Sequence, residues 1–191
     1  MALEINKVGN YNGKSFLGSN SAKPICGHFL RDLYRGEISQ AKVVTDDVVF
    51  SGCPVEIKNS AYSTANAGKA MNPNVLSITK KATVDGEVSG FVLESPTDIL
   101  QFGEVAARPL KNQVTNVALL GSGVEVYLPA DASLVGIAMS SKLKWDFDTG
   151  TLKVDPAGTI TPQGVVVDGV KYKEDSGAVV FEDCKVIKVK L

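Results

Sequence analysis

The sequence has few of the residues from which catalytic and metal sites are built. Its 191 residues contain one histidine, His28, and three cysteines, Cys26, Cys53 and Cys184. A single histidine removes most routes to a Ser-His-Asp or Cys-His site, and only Cys26 or Cys53 beside His28 remains. Structural zinc sites usually bring together two close pairs of ligands, whereas here only Cys26 and His28 are close and Cys53 and Cys184 are isolated. We therefore expect a protein that is not an enzyme, with no catalytic residues, no metal and no cofactor.

An excess of charge of one sign and long apolar runs are also missing. Lys and Arg number 20 against 21 Asp and Glu, a net charge of -1, which argues against a globally basic nucleic-acid binder. No segment approaches the ~20 apolar residues that cross a bilayer. No basic region precedes an apolar stretch near the start, as a signal peptide would require. We therefore expect neither nucleic acid nor membrane as a partner.

The cysteine count bears on the redox environment. Three widely spaced cysteines are an odd number, and the sequence contains no Asn-x-Ser/Thr sequon. Small secreted scaffolds pair an even set of cysteines, so this pattern favours a reducing compartment. Free cysteines commonly behave as small buried apolar residues, and we expect this of Cys26, Cys53 and Cys184.

The abundant residues indicate β-structure. Valine supplies 25 of the 191 residues, and short apolar runs recur between 18 glycines and 8 prolines. Valine favours strands, and short apolar runs separated by glycine and proline are typical of a sandwich or a barrel. Apolar and charged residues alternate strictly over 143–147, and Asp148-Thr149-Gly150 then turns the chain into 152–154. The sequence predicts an all-β fold, a Val-rich antiparallel barrel or sandwich.

Turn and cap residues predict how the strands are joined. Asp85-Gly86 and Asp168-Gly169 each indicate a type I′ hairpin. Ser95-Pro96 and Gly103 are suited to begin and end one short helix. Further expectations are tight turns at 121–123 and 155–158, a strand over 134–139, and an exposed or edge strand over 187–191.

Residues 1–24 differ in composition from the remainder. They contain a run of Asn and Ser, and their apolar residues keep neither a helical nor an alternating period. Such a segment is a disordered tail or an extended arm that docks elsewhere. We expect an extended N-terminal arm over 1–24 and a β domain over 25–191. An alternative divides that domain into two β subdomains near 95–112.

Asp148-Thr149-Gly150 also matches the catalytic tripeptide of retroviral-type aspartic proteases. That chemistry needs the aspartate at the end of a strongly apolar strand, buried beside its twin. Lys144 and Asp146 precede it here, so the tripeptide is better interpreted as a hairpin turn. Gly121-Ser122-Gly123 lacks the third glycine and the following helix of a phosphate cradle, and also indicates a turn.

Aromatic and acidic residues offer two further candidate sites. Trp145, Tyr127, Tyr172 and Phe147 are suited to a sugar platform, although aromatics on alternating strand positions more often form a core. Paired acids can bind Ca²⁺ in loops, but no loop has the EF-hand spacing. We interpret them as solvated turn residues; they are Asp46, Asp47, Glu174, Asp175, Glu182 and Asp183.

Three stretches carry a family resemblance: 85–94 (DGEVSGFVLE), 121–129 (GSGVEVYLP) and the Val-rich 164–170. Through them the chain resembles head decoration, or cement, proteins of tailed bacteriophages, loosely over residues 40–130. The resemblance carries over no catalytic or binding residue, because such proteins act through surfaces. It implies a virion structural protein that binds the outer surface of an icosahedral capsid and stabilises joints between major capsid subunits.

The resemblance also implies partners and a location. The partners are the major capsid protein and further copies of this chain in a homo-oligomer, with a trimer favoured. The protein is then made in the host bacterial cytoplasm and resides on the capsid surface of the virion. We expect five apolar residues of the arm to dock on a neighbouring subunit; they are Leu3, Ile5, Tyr11, Phe16 and Leu17. Two alternatives remain: another virion component (tail, neck or fibre base), and a carbohydrate-binding β-sandwich module.

Overall fold

The computed structural model describes most of the chain after residue 113 and shorter segments before it. The described residues are 10–11, 14–15, 26–27, 38–43, 49–58, 77–93, 114–175 and 178–191. Strands dominate them, and the helical elements among them are two 3-10 turns, Asp85–Glu87 and Ala132–Leu134. The predicted all-β fold class is confirmed. The expected helix over 95–103 lies outside the described residues.

Twelve strands lie in this part of the chain. They are β1 (Asn10–Tyr11), β2 (Lys14–Ser15), β3 (Ile38–Val43), β4 (Pro54–Lys58), β5 (Ser77–Lys81), β6 (Gly90–Val92), β7 (Val114–Leu119), β8 (Glu125–Pro129), β9 (Leu143–Asp146), β10 (Thr151–Val154), β11 (Thr161–Asp175) and β12 (Ala178–Lys190).

Strands β3 to β7 form a closed barrel. Their order is β3-β5-β4-β6-β7, and β7 pairs back onto β3. The β3–β5 pair is parallel and the other four pairs are antiparallel. Closure satisfies the backbone groups that an open sheet would leave at its edges. Small side chains fill the interior; the fully buried cluster is Ala41, Val43, Val49, Val55, Val92 and Val117.

Strands β8 to β12 pack beside the barrel, and β1 and β2 pair with each other in a separate two-stranded sheet. β12 lies between β11 and β8 in an antiparallel sheet, and β9 pairs with β10 in a hairpin. The larger core cluster joins three barrel residues, Phe91, Leu93 and Ala118, to buried residues between 124 and 191. The Phe91 and Trp145 rings lie 5.5 Å apart between centroids, with planes at 59°. One apolar core is therefore shared by the barrel and the strands that follow it.

Three expected turns are confirmed. Gly150 has φ +65°, and its N–H donates to the carbonyl of Asp146 at 2.9 Å, which closes the β9–β10 turn. The Gly158 N–H donates to the carbonyl of Asp155 at 2.9 Å. Gly121 and Gly123, at φ +80° and +81°, turn the chain from β7 to β8. Each position uses the left-handed backbone or the tight reversal for which glycine is suited.

The expected hairpin at Asp85-Gly86 is wrong. These residues form a 3-10 turn, in which the Glu87 carboxylate accepts hydrogen bonds from the Thr83 N–H at 2.9 Å and the Thr83 hydroxyl at 3.0 Å. β5 and β6 lie on opposite sides of β4 in the barrel. A two-residue hairpin pairs adjacent strands directly, so it does not fit this connection.

The expected hairpin at Asp168-Gly169 is also wrong. Both residues lie inside β11, where they pair with Lys185 and Cys184 of β12. The long ladder between β11 and β12 satisfies backbone groups on both sides of this dipeptide, whereas a turn here would break it. The Lys185 Nζ on β12 also donates to Asp168 Oδ1 at 2.7 Å, so a side-chain hydrogen bond joins the two strands here.

In the second half, the strand expected over 134–139 is absent, and the strand expected over 187–191 is present but not at an edge. Residues 134–139 form turns because the Asp131 side chain accepts from the Ser133 N–H at 2.8 Å and Gly136 has φ +79°. Residues 187–190 belong to β12, which is the central strand of its sheet and not an edge. Within residues 187–190 the lysines are the exposed Lys190 and Lys188, which forms an ion pair with Glu125.

Candidate functional site

A cleft of roughly 580 Å³ lies between the barrel, the β9–β10 hairpin and the β11–β12 sheet. The barrel side contributes residues 50–54 and 81–82, and the other side contributes residues of β9–β10, β11 and β12. This is a typical volume for a ligand pocket, and junctions between packed units are a usual place for one. The lining comes from segments far apart in the chain, so the sequence pattern indicated some of its aromatic residues but not the cleft itself.

Aromatic side chains form the apolar part of this cleft. Phe50 and Tyr172 stack with centroids 6.3 Å apart and planes at 26°. Trp145 and Phe147 line the same cleft. Trp145 is only 8% exposed and belongs to the larger core cluster, which confirms the interpretation of this residue as core. Of the four candidate platform residues, the structure brings Trp145, Phe147 and Tyr172 together, whereas Tyr127 does not line the cleft.

Lysines give the cleft positive charge. Lys81, Lys171 and Lys173 line it together with one carboxylate, Glu182. Glu182 forms ion pairs with Lys171 at 3.2 Å and Lys173 at 3.3 Å. The hydrogen bond from Lys171 is the main cause that lowers the pKa of Glu182. With one carboxylate against three ammonium groups, the cleft is suited to polar or anionic groups beside its aromatic rings.

Glu182 and Asp183 were expected in a turn, and this expectation is wrong. Both lie in β12, where they pair with Lys171 and Val170 of β11. The preference of acidic residues for turns is outweighed here by the cross-strand ion pairs that Lys171 and Lys173 supply. Glu174 and Asp175 are the last residues of β11, and Asp46 and Asp47 lie outside the described residues.

Four residues, Cys26, Gly27, Ser51 and Gly52, form a contact that we call the N-terminal junction. The Ser51 hydroxyl donates to the carbonyl of Cys26 at 2.5 Å. Gly27 and Gly52 have φ +85° and +80°. A Cβ on Gly27 would lie 2.0 Å from Ser51 Oγ, and one on Gly52 would lie 2.7 Å from Cys26 Cβ. Both positions therefore require glycine for conformation and for space.

The N-terminal junction is also bound to the second sheet. The Cys26 N–H donates to the carbonyl of Val170 in β11 at 3.0 Å, and the Gly27 N–H donates to the carbonyl of Tyr127 in β8 at 2.7 Å. The Gly52 N–H donates to the carbonyl of Val92 in β6 at 2.8 Å. The junction thus connects the barrel to the three-stranded sheet through residues 26–27.

The same junction brings two cysteines together. The sulfur atoms of Cys26 and Cys184 are 3.9 Å apart, although the residues are 158 positions apart in the chain. Cys26 is buried as expected, whereas Cys53 and Cys184 are only half-buried. Burial is the main cause that raises the pKa of the Cys26 thiol, and the hydrogen bond with Cys184 acts in the same direction. The spacing of cysteines along the chain carries no signal of this contact.

The candidate arm residues fall mainly outside the described part of the chain. Leu3, Ile5, Phe16 and Leu17 lie outside it, as does His28. Tyr11 is the last residue of β1, where it pairs with Lys14 of β2.

Asp148 occupies an exposed turn, where its N–H donates to Asp146 Oδ1 at 3.1 Å. This is not the buried position that aspartic-protease chemistry needs.

Within the described ranges, no group of three His, Cys, Asp or Glu side chains lies close enough to hold a metal ion. In the same ranges, no helix has both the length and the apolar character needed to cross a bilayer. Comparison with known proteins found no protein-family model and no curated protein that matches the chain.

Proposed function

We propose that this protein is a structural component of a virion. It binds the outer surface of an icosahedral capsid and stabilises the joints between major capsid subunits. The resemblance over residues 40–130 supports the capsid assignment, and the N-terminal junction is the structural observation that carries the mode of action. The partners are the major capsid protein and further copies of this chain, with a trimer favoured.

The N-terminal junction supports the proposal because an arm can hold two subunits together only if the residues that follow it are bound firmly to its own domain. Three backbone hydrogen bonds hold the junction, to Val170, Tyr127 and Val92. Cys26 and Gly27 donate to β11 and β8, and the Ser51 hydroxyl on the barrel side donates to the Cys26 carbonyl, so a pull on the arm would reach both the sheet and the barrel. An arm that becomes ordered on a neighbouring subunit loses entropy but contacts a large surface.

Protein stoichiometry in purified particles tests the proposal. Quantitative mass spectrometry against the major shell protein is expected to give copies in the hundreds, comparable to the shell protein. A handful of copies would instead place the chain in the tail, neck or fibre base. Absence from particles would refute the virion assignment.

Deletion of residues 2–20 tests the role of the arm. We expect the truncated protein to lose particle binding while its β domain stays folded, as judged by far-UV circular dichroism. A matched variant replaces Leu3, Ile5, Tyr11, Phe16 and Leu17 by serine, and its control replaces polar residues of the same segment by alanine. Unchanged particle binding by the apolar-to-serine variant would contradict the docking of the arm.

The cleft favours a second candidate function, a carbohydrate-binding module. The observation that favours it is a concave surface on which Trp145, Phe147 and Tyr172 lie together with three lysines. Titration with neutral and acidic sugars is expected to change the fluorescence of Trp145 and to respond to the acidic sugars more strongly. Lys173→Ala should weaken that response, and Lys153→Ala, at an exposed lysine outside the cleft, is the control. No change with either sugar class would exclude this candidate.

A further inference from the structure

The contact between Cys26 and Cys184 joins the N-terminal segment to the C-terminal hairpin. The sulfur atoms lie 3.9 Å apart, and a disulfide requires about 2.05 Å. The two sulfurs must therefore approach each other by about 2 Å for the bond to form.

The backbone holds both cysteines beside the same part of β11. Cys184 pairs with Gly169 across the β11–β12 ladder, and the Cys26 N–H donates to the carbonyl of the next residue, Val170. Gly169 has no side chain to place beside Cys184. Cys26, which is far from Cys184 in the sequence, lies next to the Cys184 sulfur instead.

We propose that Cys26 and Cys184 form a reversible intramolecular disulfide that locks the N-terminal junction to the β11–β12 hairpin. The reduced state is the one in the structure, where no disulfide joins Cys26, Cys53 and Cys184. The inference does not depend on the proposed capsid or glycan function. Cys53 lies on the barrel side, where its sulfur donates to the carbonyl of Pro54 at 3.5 Å, and is not part of the pair.

A low-molecular-weight disulfide, such as oxidised glutathione, serves as the oxidant. Cys184 is half-buried and Cys26 is buried, so the Cys184 thiolate reacts first. It attacks one sulfur of the oxidant, forms a mixed disulfide and releases one thiolate. Cys26 then attacks the Cys184 sulfur, and the second thiolate leaves and takes up the proton lost by Cys26. Two protein thiols are oxidised, and one small disulfide is reduced to two thiols.

Incubation of the full chain with oxidised glutathione tests the proposal. Thiol counting under denaturing conditions is expected to fall from three free thiols to one, and the intact mass to fall by two hydrogen atoms without added glutathione. Peptide mapping should identify a link between Cys26 and Cys184. Excess reduced thiol should restore all three thiols. The oxidised, unfolded chain should also migrate faster on a non-reducing gel.

Three variants make the test specific. Cys53→Ser should still lose two thiols, whereas Cys184→Ser should form no internal bond. Cys26→Ser replaces a buried residue and has a risk of misfolding, so Cys184→Ser at the half-buried position is the primary variant. Three persistent thiols, a mapped link that includes Cys53, only a mixed disulfide with glutathione, or only bonds between chains would each overturn the proposal.

Discussion

Replacing Phe91 by alanine should destabilise the barrel and the second sheet together. Phe91 lies in β6 of the barrel and is fully buried. Its ring contacts Trp145 of β9, and it belongs to the core cluster that also contains Leu128 of β8 and Ile187 of β12. Removal of this ring therefore leaves a cavity at the boundary between the two parts of the molecule.

The expected loss can be worked from these contacts. Truncation of a buried phenylalanine to alanine typically costs about 3–5 kcal/mol of unfolding free energy, through lost transfer energy and the cavity left behind. The contact with Trp145 places the expected loss toward the upper end, since an aromatic pair adds about 0.5–1.5 kcal/mol to area burial. In a domain of this size, each kcal/mol shifts Tm by about 2–4 °C. The melting temperature should fall by roughly 6–20 °C.

Two probes make this prediction refutable. Far-UV circular dichroism follows all the strands, and fluorescence follows Trp145, the sole tryptophan. Both midpoints should coincide and shift together in Phe91→Ala, whereas Val84→Ala, at a side chain 56% exposed, should change stability by no more than about 0.5 kcal/mol. A Trp145 midpoint that stays unchanged while the dichroism midpoint falls would refute the shared core. That result would instead favour two β subdomains that unfold separately.

Three further predictions concern single positions. Gly90→Ala should cost about 1–3 kcal/mol or more in chemical denaturation, because the new Cβ would lie 2.2 Å from the Ala118 carbonyl oxygen. The hydrogen bond from the Thr83 N–H is the main cause that lowers the pKa of Glu87 to about 2. The ionised carboxylate therefore stabilises the fold above pH 4.5, and this stabilisation is lost as the pH falls towards 2. Glu87→Gln should reduce this pH dependence of the unfolding free energy. Gly27→Ala should loosen the N-terminal junction and speed the cleavage of the chain at residues 26–27 in limited proteolysis.

Each of these predictions has a control or a contradicting result. Gly86→Ala introduces a Cβ with no atom within 4 Å, so it should be neutral or stabilise the protein by about 0.4–1 kcal/mol. Equal effects at Gly90 and Gly86 would contradict the close approach of β6 and β7. A Glu87→Gln protein with the same acid-unfolding profile as the wild type would contradict the assigned pKa. Unchanged proteolysis of Gly27→Ala would show that the junction tolerates a side chain.

Local patterns in the sequence were sufficient to predict the β9–β10 hairpin. The alternation over 143–147 places Leu143 and Trp145 in the core, and Gly150 supplies the left-handed turn. These features depend only on neighbouring residues. The all-β class follows in the same way from the abundance of valine and the recurring short apolar runs.

Features that depend on distant partners were not predictable from local patterns. Asp168-Gly169 is a strong turn signal, yet β12 pairs with both residues and keeps them in a strand. The Cys26–Cys184 contact and the cleft likewise join segments that are far apart in the sequence. Cross-strand pairing and burial are collective, so they can outweigh the preference of a dipeptide for a turn.

The N-terminal junction also has a consequence for synthesis on the ribosome. Cys26 leaves the ribosome long before Val170, the residue that accepts its backbone hydrogen bond. At roughly 5–20 residues per second, the intervening ~140 residues require about 7–30 s of translation. The barrel strands precede β11 in the chain, so the barrel has time to close before the N-terminal segment acquires its final partner. Docking of residue 26 therefore waits for the synthesis of β11, although this residue is made long before that strand.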